Sequence, residues 1–147
     1  MMIVLEGVDG AGKTTLANLL SKTLNAGIIH ATRETPNDWA WFSEIMDLAR
    51  DRNIIMDRAF WGQFVYQNPD ERKLSQEQLH ELEHRLHQEG GHLIYVTAEE
   101  EDIRSRLGAR QEELALPLGV LKARYAVRID RADCPVITYN TSTGEVC

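Results

Sequence analysis

Short apolar runs, each followed by glycine or polar residues, recur along the chain and alternate with segments whose apolar positions lie three or four residues apart. Continuous, branched apolar runs of this length are typical of buried strands in a parallel sheet. These runs predict five strands, at residues 2–5, 27–32, 53–57, 92–97 and 135–140.

The segments between the strands have the periodicity of amphipathic helices. They predict helices at residues 14–24, 60–67, 75–88, 99–110 and 118–131, and another that opens at 36–38 and continues to residue 49. Alternating strands and helices predict an α/β fold in three α/β/α layers, with a five-stranded parallel sheet. No linker or repeat interrupts the pattern, so we expect a single domain, residues 1–147, with a short polar tail.

Charge and composition narrow the range of partners. The chain carries a formal net charge of -7, which disfavours a broad surface for duplex nucleic acid but leaves room for a local basic pocket. No apolar run approaches the roughly 18 residues of a membrane span, so no membrane partner is expected. The N-terminus lacks the pattern of an export signal, and Cys134 and Cys147 lack metal-ligand spacing. We therefore expect free thiols and a cytoplasmic location.

A phosphate-binding loop follows the first predicted strand. The run Gly7-Val8-Asp9-Gly10-Ala11-Gly12-Lys13-Thr14 matches GxxxxGK(S/T) and stands between a strand and a helix, as this motif requires. Glycines let successive backbone N–H groups turn toward anionic oxygens, Lys13 is expected to reach the outer phosphates, and the Thr14 hydroxyl is expected to bind Mg²⁺. The predicted ATP site comprises Gly7, Asp9, Gly10, Ala11, Gly12, Lys13, Thr14 and Thr15.

The residues after this loop favour a kinase over other P-loop proteins. A GTPase would show a DxxG switch after the third strand and an NKxD-like motif that binds the base. Asp57-Arg58-Ala59-Phe60 lacks the glycine, and Tyr139-Asn140-Thr141-Ser142 lacks the lysine and the aspartate. Asp57 is instead a candidate for holding Mg²⁺ or orienting an acceptor, and Arg58 is a candidate for contacting a phosphate.

Four segments resemble thymidylate kinases. The run Leu5-Glu6-Gly7-Val8-Asp9-Gly10-Ala11-Gly12-Lys13-Thr14-Thr15 is similar to the opening of that family, and Thr32-Arg33-Glu34-Thr35-Pro36 resembles its TREP segment. Asp57-Arg58, followed by Gln63, Tyr66 and Gln67, resembles the DR(Y/H) helix that ends in AYQ. The fourth segment is an arginine-bearing lid around residues 99–113, with Arg104, Arg106 and Arg110.

The resemblance implies a P-loop NTPase sheet in the order 2-3-1-4-5 and an acceptor monophosphate held between Arg33 and Arg58. It places Asp9 near the acceptor sugar, Gln63 near the base and Tyr66 against the deoxyribose, while Gln67 shares their helix face. Because the P-loop contains no arginine, the charge on the transferred group is expected to meet the lid arginines. The catalytic residues implied are Lys13, Asp9, Asp57, Arg58, Arg104, Arg106 and Arg110.

The chain is shorter than typical thymidylate kinases and lacks a terminal helix. It therefore resembles a compact, bacteriophage-type kinase encoded by a virus of a bacterial host. The resemblance implies ATP and Mg²⁺ as cofactors and a small-molecule acceptor, dTMP or a related pyrimidine deoxynucleotide, modified ones included. We also expect a homodimer.

Other functions fit parts of the same sequence. A second possibility is a P-loop kinase whose acceptor is a hydroxymethylated nucleobase in DNA, a nucleoside or a small alcohol. Such an enzyme would need a general base to take the proton of the acceptor hydroxyl, and Glu6, Asp9 and Asp57 are candidates. A nucleotide-binding module without catalysis would need only the loop. A zinc hydrolase is suggested by His80-Glu81-Leu82-Glu83-His84, a literal HExxH, although the leucine stripe of this helix predicts that both histidines face solvent.

Overall fold

The computed structural model describes residues 1–147 and contains one five-stranded parallel sheet. The strands are β1 (Met2–Glu6), β2 (Gly27–His30), β3 (Ile54–Asp57), β4 (His92–Thr97) and β5 (Val136–Asn140). Their order is β2-β3-β1-β4-β5, as predicted. All five residues of β1 are buried, because this central strand has a neighbour on each side and helices over both faces of the sheet.

Six helices connect the strands: α1 (Lys13–Leu24), α2 (Trp39–Leu48), α3 (Gly62–Tyr66), α4 (Gln76–Gln88), α5 (Glu100–Ala109) and α6 (Leu118–Arg131), with a 3-10 turn at Pro69–Glu71. From β1 to β2 the chain moves toward the β2 edge of the sheet. Every later connection moves it toward the β5 edge. Right-handed crossovers therefore place α1 on one face and the later helices on the other. None of these helices is both long enough and apolar enough to cross a membrane.

Local sequence explains where two of the helices begin. The carboxylate of Asp38 accepts a hydrogen bond from the backbone N–H of Trp41 at 2.9 Å, and Ser75 and Gln78 form a reciprocal capping box before α4. The predicted helix at 60–67 is shorter in the structure. Its first two residues, Phe60 and Trp61, form a buried turn that leads into α3.

The C-terminal segment is more ordered than the predicted polar tail. The chain turns after β5, where the N–H of Gly144 donates to the carbonyl of Asn140 at 2.7 Å. Thr138 and Cys147 then exchange two backbone hydrogen bonds of 3.0 and 2.8 Å, so the tail pairs antiparallel with the outer edge of β5. Periodicity did not predict this pairing, because the segment has no apolar run to mark a strand. The pairing covers an edge that would otherwise expose free backbone groups.

A buried carboxylate links α3 and α4 to the segment after α6. Glu83 is 1% exposed, and its Oε2 accepts a hydrogen bond of 2.7 Å from the indole N–H of Trp61. Its Oε1 accepts from the backbone N–H of Asp133 at 3.1 Å and lies 3.2 Å from Nδ1 of His80. A carboxylate buried without such partners would be strongly destabilising. Glu83 therefore joins three parts of the chain through polar bonds inside the core.

The HExxH sequence lies on this same helix. Glu81 and His84 are exposed, His80 is half-buried beside Glu83, and the leucines at 79, 82 and 86 face the core. No group of three or more His, Cys, Asp or Glu side chains is placed to hold a metal ion. The helix thus uses its leucine stripe and Glu83 for packing.

We predict that Glu83→Ala lowers the free energy of unfolding by about 2–4 kcal/mol, because the substitution leaves the buried indole N–H of Trp61 without an acceptor and also removes the bond to the backbone N–H of Asp133. His84→Ala, one residue away and exposed, is the matched control and should change stability by about 0.5 kcal/mol or less. Urea unfolding monitored by circular dichroism would measure both. Similar, small effects of the two substitutions would contradict this role of Glu83.

Candidate active site

A cleft of about 750 Å³ opens at the carboxyl ends of the central strands, where ligands bind in open α/β sheets. The P-loop, residues 7–14, forms its floor between β1 and α1. Most of the predicted site residues line this cleft: Asp9, Gly10, Gly12, Lys13, Thr14, Thr15, Asp57, Arg58, Arg106 and Arg110. Gly7 and Ala11 belong to the same loop, and Ala11 is buried in the core.

Two glycines of the P-loop are required by its path. Gly7 has a φ of 151°, and a Cβ at this position would overlap the carbonyl oxygen of Val96 in β4. Gly12 has a φ of 102° and directly precedes α1. Side chains rarely adopt such angles, so the loop can curl over the end of α1 only with glycine at these places. The helix N-terminus then faces the cleft with positive potential.

Lys13 is buried inside the curl of the loop. Its ammonium donates to the carbonyl oxygens of Gly7 at 2.7 Å and Val8 at 2.8 Å. Burial, together with the nearby guanidinium of Arg58, lowers the pKa of Lys13 to about 8, although Asp9, Asp57 and Glu6 act in the opposite direction. The side chain therefore remains mainly protonated at neutral pH and is held as a fixed positive charge at the cleft.

An oxygen-rich pair lies beside Lys13. The Thr14 hydroxyl donates to Oδ2 of Asp57 at 3.1 Å, and Nδ1 of His30 lies 3.2 Å from the same carboxylate oxygen. A hydroxyl next to a carboxylate is a donor set suited to Mg²⁺, which prefers oxygen ligands and is usually bound through one or two protein groups plus phosphate. The positions of Thr14 and Asp57 therefore fit the predicted metal site.

Arg58 and Asp9 form an ion pair across the cleft. Nη2 of Arg58 contacts Oδ1 of Asp9, and the guanidinium carbon lies 5.2 Å from the centre of the Tyr66 ring. Arg58 has a φ of 70°, and its backbone N–H donates to the carbonyl of Leu5 at 2.9 Å. This left-handed backbone, which is unfavourable for a residue with a side chain, directs a cation toward the P-loop at the end of β3.

Glu6 lies beneath the P-loop with no exposed surface. Its Oε2 accepts from the backbone N–H of Trp61 at 2.8 Å, whereas Oε1 has no hydrogen-bond partner. Burial raises the pKa of Glu6 to about 7, although Trp61, Arg58 and Lys13 each act to lower it. A neutral carboxyl group costs less to bury without a hydrogen-bond partner than a carboxylate does. The raised pKa of Glu6 therefore agrees with the unpaired oxygen.

The three lid arginines have different surroundings. Nη1 of Arg106 donates to the carbonyl of Gly10 and to the Thr141 hydroxyl, both at 3.0 Å, and Arg110 lines the cleft 3.5 Å from a carboxylate oxygen of Glu112. Arg104 lies outside the cleft and pairs with Glu100 of its own helix at 2.7 Å. The structure therefore brings Arg106 and Arg110 to the cleft, but it does not bring Arg104 there.

Of the predicted acceptor contacts, Asp9 and Arg58 line the cleft, whereas the others lie apart from it. Arg33 is exposed on the loop after β2, and Tyr66 and Gln67 are half-buried on α3 and just after it. The hydroxyl of Tyr66 and Oε1 of Gln67 are buried without hydrogen-bond partners. These two polar groups are uncommitted in this conformation.

Gln63 requires a correction. Its side chain is 4% exposed, its amide N–H donates to the carbonyl of Asn37 at 2.6 Å, and its amide oxygen accepts from the backbone N–H groups of Lys73 and Leu74 at 2.7 and 3.0 Å. The amide is occupied by three backbone groups, so Gln63 joins loops and does not lie free to contact a base. Helical spacing gave it the same face as Tyr66 but could not show that the backbone would use its polar atoms.

Three polar cleft residues belonged neither to the predicted site nor to a quoted motif: His30, Tyr139 and Thr141. All three lie at or just beyond the carboxyl end of a parallel strand, His30 at β2 and the other two at β5. This position was the only available signal, since ligands collect at that edge of the sheet. Neither residue type nor spacing distinguished them from ordinary surface residues.

Solved structures share this architecture. The chain is similar to the YorR protein of Bacillus subtilis, whose structure contains phosphorylated GDP, with a TM-score of 0.77 and 27% identity over 99% of this chain and 87% of that chain. It is also similar to deoxyadenosine kinase from M. mycoides with bound dATP, with a TM-score of 0.61 and 21% identity over 95% and 91% of the two chains.

Thymidylate kinase from Candida albicans matches with a TM-score of 0.51 and 16% identity, over 96% of this chain and 84% of that chain. No family model matches the sequence, and no curated protein matches it. The structural matches show that the chain has the fold of P-loop nucleoside and nucleotide kinases.

We predict that Glu6→Gln makes the protein less sensitive to pH. Burial raises the pKa of Glu6 in the folded protein above its unfolded value of 4.5, so the folded state holds this proton to higher pH than the unfolded state does. The stability that the proton contributes is fully present below pH 4.5 and is lost as pH rises through about 7. The variant should therefore gain stability relative to the parent by roughly 2–3 kcal/mol between pH 5 and 8. Urea unfolding at four pH values in this range would measure the difference. A difference that does not change with pH would contradict the raised pKa.

Proposed function

We propose that this chain is a kinase that transfers the terminal phosphoryl group of Mg²⁺-bound ATP to a deoxynucleoside monophosphate, with dTMP or a related pyrimidine nucleotide as the leading acceptor. The observation that carries the proposal is the charge of the cleft. Its lining has four cations, Lys13, Arg58, Arg106 and Arg110, against two carboxylates, Asp9 and Asp57, whereas the whole chain has a net charge of -7. A basic cleft in an acidic protein suits two anionic ligands, a polyphosphate and an acceptor phosphate.

The cations divide between the two ligands by position. Lys13 and the P-loop amides lie at the start of α1 and would hold the donor phosphates. Arg58 lies across the cleft at the end of β3 and would bind the acceptor phosphate in place of its present partner Asp9. A guanidinium is well suited to forked contacts with phosphate oxygens. In phosphoryl transfer the attacking and leaving oxygens lie roughly in line with the transferred phosphorus, so the acceptor must approach from the side opposite the leaving group. Separate cations for the donor and the acceptor would hold the two ligands on these opposite sides.

Electrostatics would then supply most of the catalysis. The acceptor oxygen of a monophosphate is already anionic, so no strong general base is needed. Thr14 and Asp57 would hold Mg²⁺, which would supply neutralisation of phosphate charge when bound. Arg106, with its guanidinium at the P-loop carbonyl of Gly10, would be the lid cation that meets the transferred group.

One observation favours a second acceptor class. The carboxylate of Asp9 faces the cleft with 46% of its side chain exposed, and Arg58 fixes its position. A carboxylate in this place could take a proton from a hydroxyl acceptor such as a nucleoside or a hydroxymethylated base. The homodimer, the cytoplasmic location and the viral origin stay predictions.

We expect ADP release with ATP, Mg²⁺ and dTMP in a panel that also contains other nucleoside monophosphates, nucleosides and DNA. Lys13→Met should lower kcat/KM roughly 100-fold or more, because it removes a fixed charge that contacts the transferred group. Lys22→Met, on the exposed side of α1, is the matched control and should keep near-normal rates. Turnover only with a nucleoside or DNA would redirect the proposal, and tight ATP binding without turnover would favour a non-catalytic module.

Asp9→Asn distinguishes the two acceptor classes. With a monophosphate acceptor no proton has to be removed, so we expect the variant to retain kcat within about tenfold. With a hydroxyl acceptor, loss of the base should lower kcat by roughly 10²–10⁴-fold. Steady-state kinetics across pH 6–9 would test this, and a steep loss with dTMP would contradict the proposed mechanism.

A further inference from the structure

The turn after β5 contacts both the P-loop and the lid helix α5 through one hydroxyl group. Oγ1 of Thr141 donates to the carbonyl of Ala11 at 2.6 Å and accepts from Nη1 of Arg106 at 3.0 Å. The backbone N–H of Thr141 donates to the carbonyl of Thr97 at 2.8 Å, which fixes the residue at the end of β4. This hydroxyl therefore joins the floor of the cleft to Arg106 of the lid helix.

The bond to Ala11 fixes the direction of a P-loop peptide. The peptide between Ala11 and Gly12 is trans, so its N–H points away from its carbonyl. Because the carbonyl is directed to Thr141, the N–H of Gly12 is directed to the opposite side of the loop. The methyl group of Thr141 also lies 3.0 Å from where a Cβ of Gly12 would stand, so the turn contacts the loop closely.

The same nitrogen of Arg106 donates to Gly10 and to Thr141. Without the hydroxyl, this guanidinium would keep a single partner and would lose one of the two contacts that fix its direction. Arginine has many rotamers, and each hydrogen bond that orders it reduces the entropy that must be lost when it meets a ligand. Thr141 thus holds Arg106 beside the loop before a nucleotide arrives.

A neighbouring residue fastens the lid helix to this turn. The Ser142 hydroxyl donates to Oδ2 of Asp102 at 2.5 Å and accepts from the backbone N–H of Glu99 at 2.9 Å. Both partners lie at the start of α5, and Ile103 and Leu107 of that helix pack against Gly10. The position of α5 therefore does not depend on Thr141, and removal of the Thr141 hydroxyl should leave the helix in place.

We propose that Thr141 is a positioning residue, which sets the orientation of the Ala11–Gly12 peptide for the donor phosphates and the orientation of Arg106 for the transferred group. The Arg106 part rests on the proposed function, whereas the peptide part requires only that the P-loop binds a nucleotide. The two parts can therefore be tested separately, by binding and by turnover.

The binding test uses an ATP analogue with a β,γ-imido link. The analogue is titrated into the protein in the presence of Mg²⁺, and calorimetry gives the dissociation constant. Thr141→Val keeps the shape and removes the hydroxyl, and we expect at least fivefold weaker binding. Thr141→Ser keeps the hydroxyl and should bind within about twofold of the parent. Thr143→Val is the matched control, because Thr143 is an exposed residue of the same turn whose hydroxyl accepts only from the N–H of Glu145.

The turnover test measures kcat and KM for ATP with the acceptor that the panel identifies. We expect Thr141→Val to lower kcat/KM at least tenfold, with kcat reduced as well, and Thr141→Ser to restore both. In an Arg106→Ala background the further effect of Thr141→Val on kcat should be small, because the two residues act together.

Three results would overturn the proposal. The first is normal binding and turnover in Thr141→Val, and the second is equal losses of binding and turnover in the Val and Ser variants. The third is a fully additive loss of kcat when Thr141→Val is combined with Arg106→Ala. If Thr141→Val does not fold by circular dichroism, Thr141→Ala replaces it with the same expected losses. If the parent protein phosphorylates no acceptor, the proposed function fails, while the binding test still decides the role of Thr141 at the P-loop.

Discussion

The parallel hydrogen bonding of β1 between β3 and β4 is the constraint on which the site depends. The register pairs Leu5 with Asp57 and Glu6 with Tyr95, so the functional ends of β1 and β3 reach the same edge of the sheet together. A shift of one residue would turn alternate side chains to the other face and separate Asp57 from Thr14. The fold thus brings the P-loop, the Thr14–Asp57 pair and Arg58 to one edge of the sheet.

Much of this arrangement could be predicted because it follows from local patterns. The five apolar runs, the helical periodicity and the P-loop motif each require only a few neighbouring residues, and the sheet order followed from the resemblance to thymidylate kinases. The paired tail after β5 was not predicted because it depends on two backbone hydrogen bonds between Thr138 and Cys147, which no side-chain pattern encodes. The structure therefore extends the fold where pairing depends on the backbone alone.

The positions of the candidate site residues could be predicted best at the ends of strands and helices, and less well elsewhere. Lys13, Asp57 and Arg58 stand at strand and helix ends, and their positions follow from the order of elements. Gln63 shows the limit of spacing, because three backbone groups satisfy its amide. Arg104 and Arg106 are two residues apart and face different surroundings, which depends on the rotation of α5 over the P-loop. Rotation of a helix about its axis is set by packing, and α5 has only two buried residues to mark its face.

Trp61 donates a hydrogen bond to each of two buried acids. Its backbone N–H is bonded to Glu6 beneath the P-loop, and its indole N–H is bonded to Glu83 in the core. Ionisation of Glu6 places a new negative charge a few bonds from a fully buried ring, and the energy of an excited indole depends on the electric field across it. Once Trp39 and Trp41, the other two tryptophans of the chain, are replaced by phenylalanine, the emission colour of Trp61 should follow the proton beneath the phosphate loop.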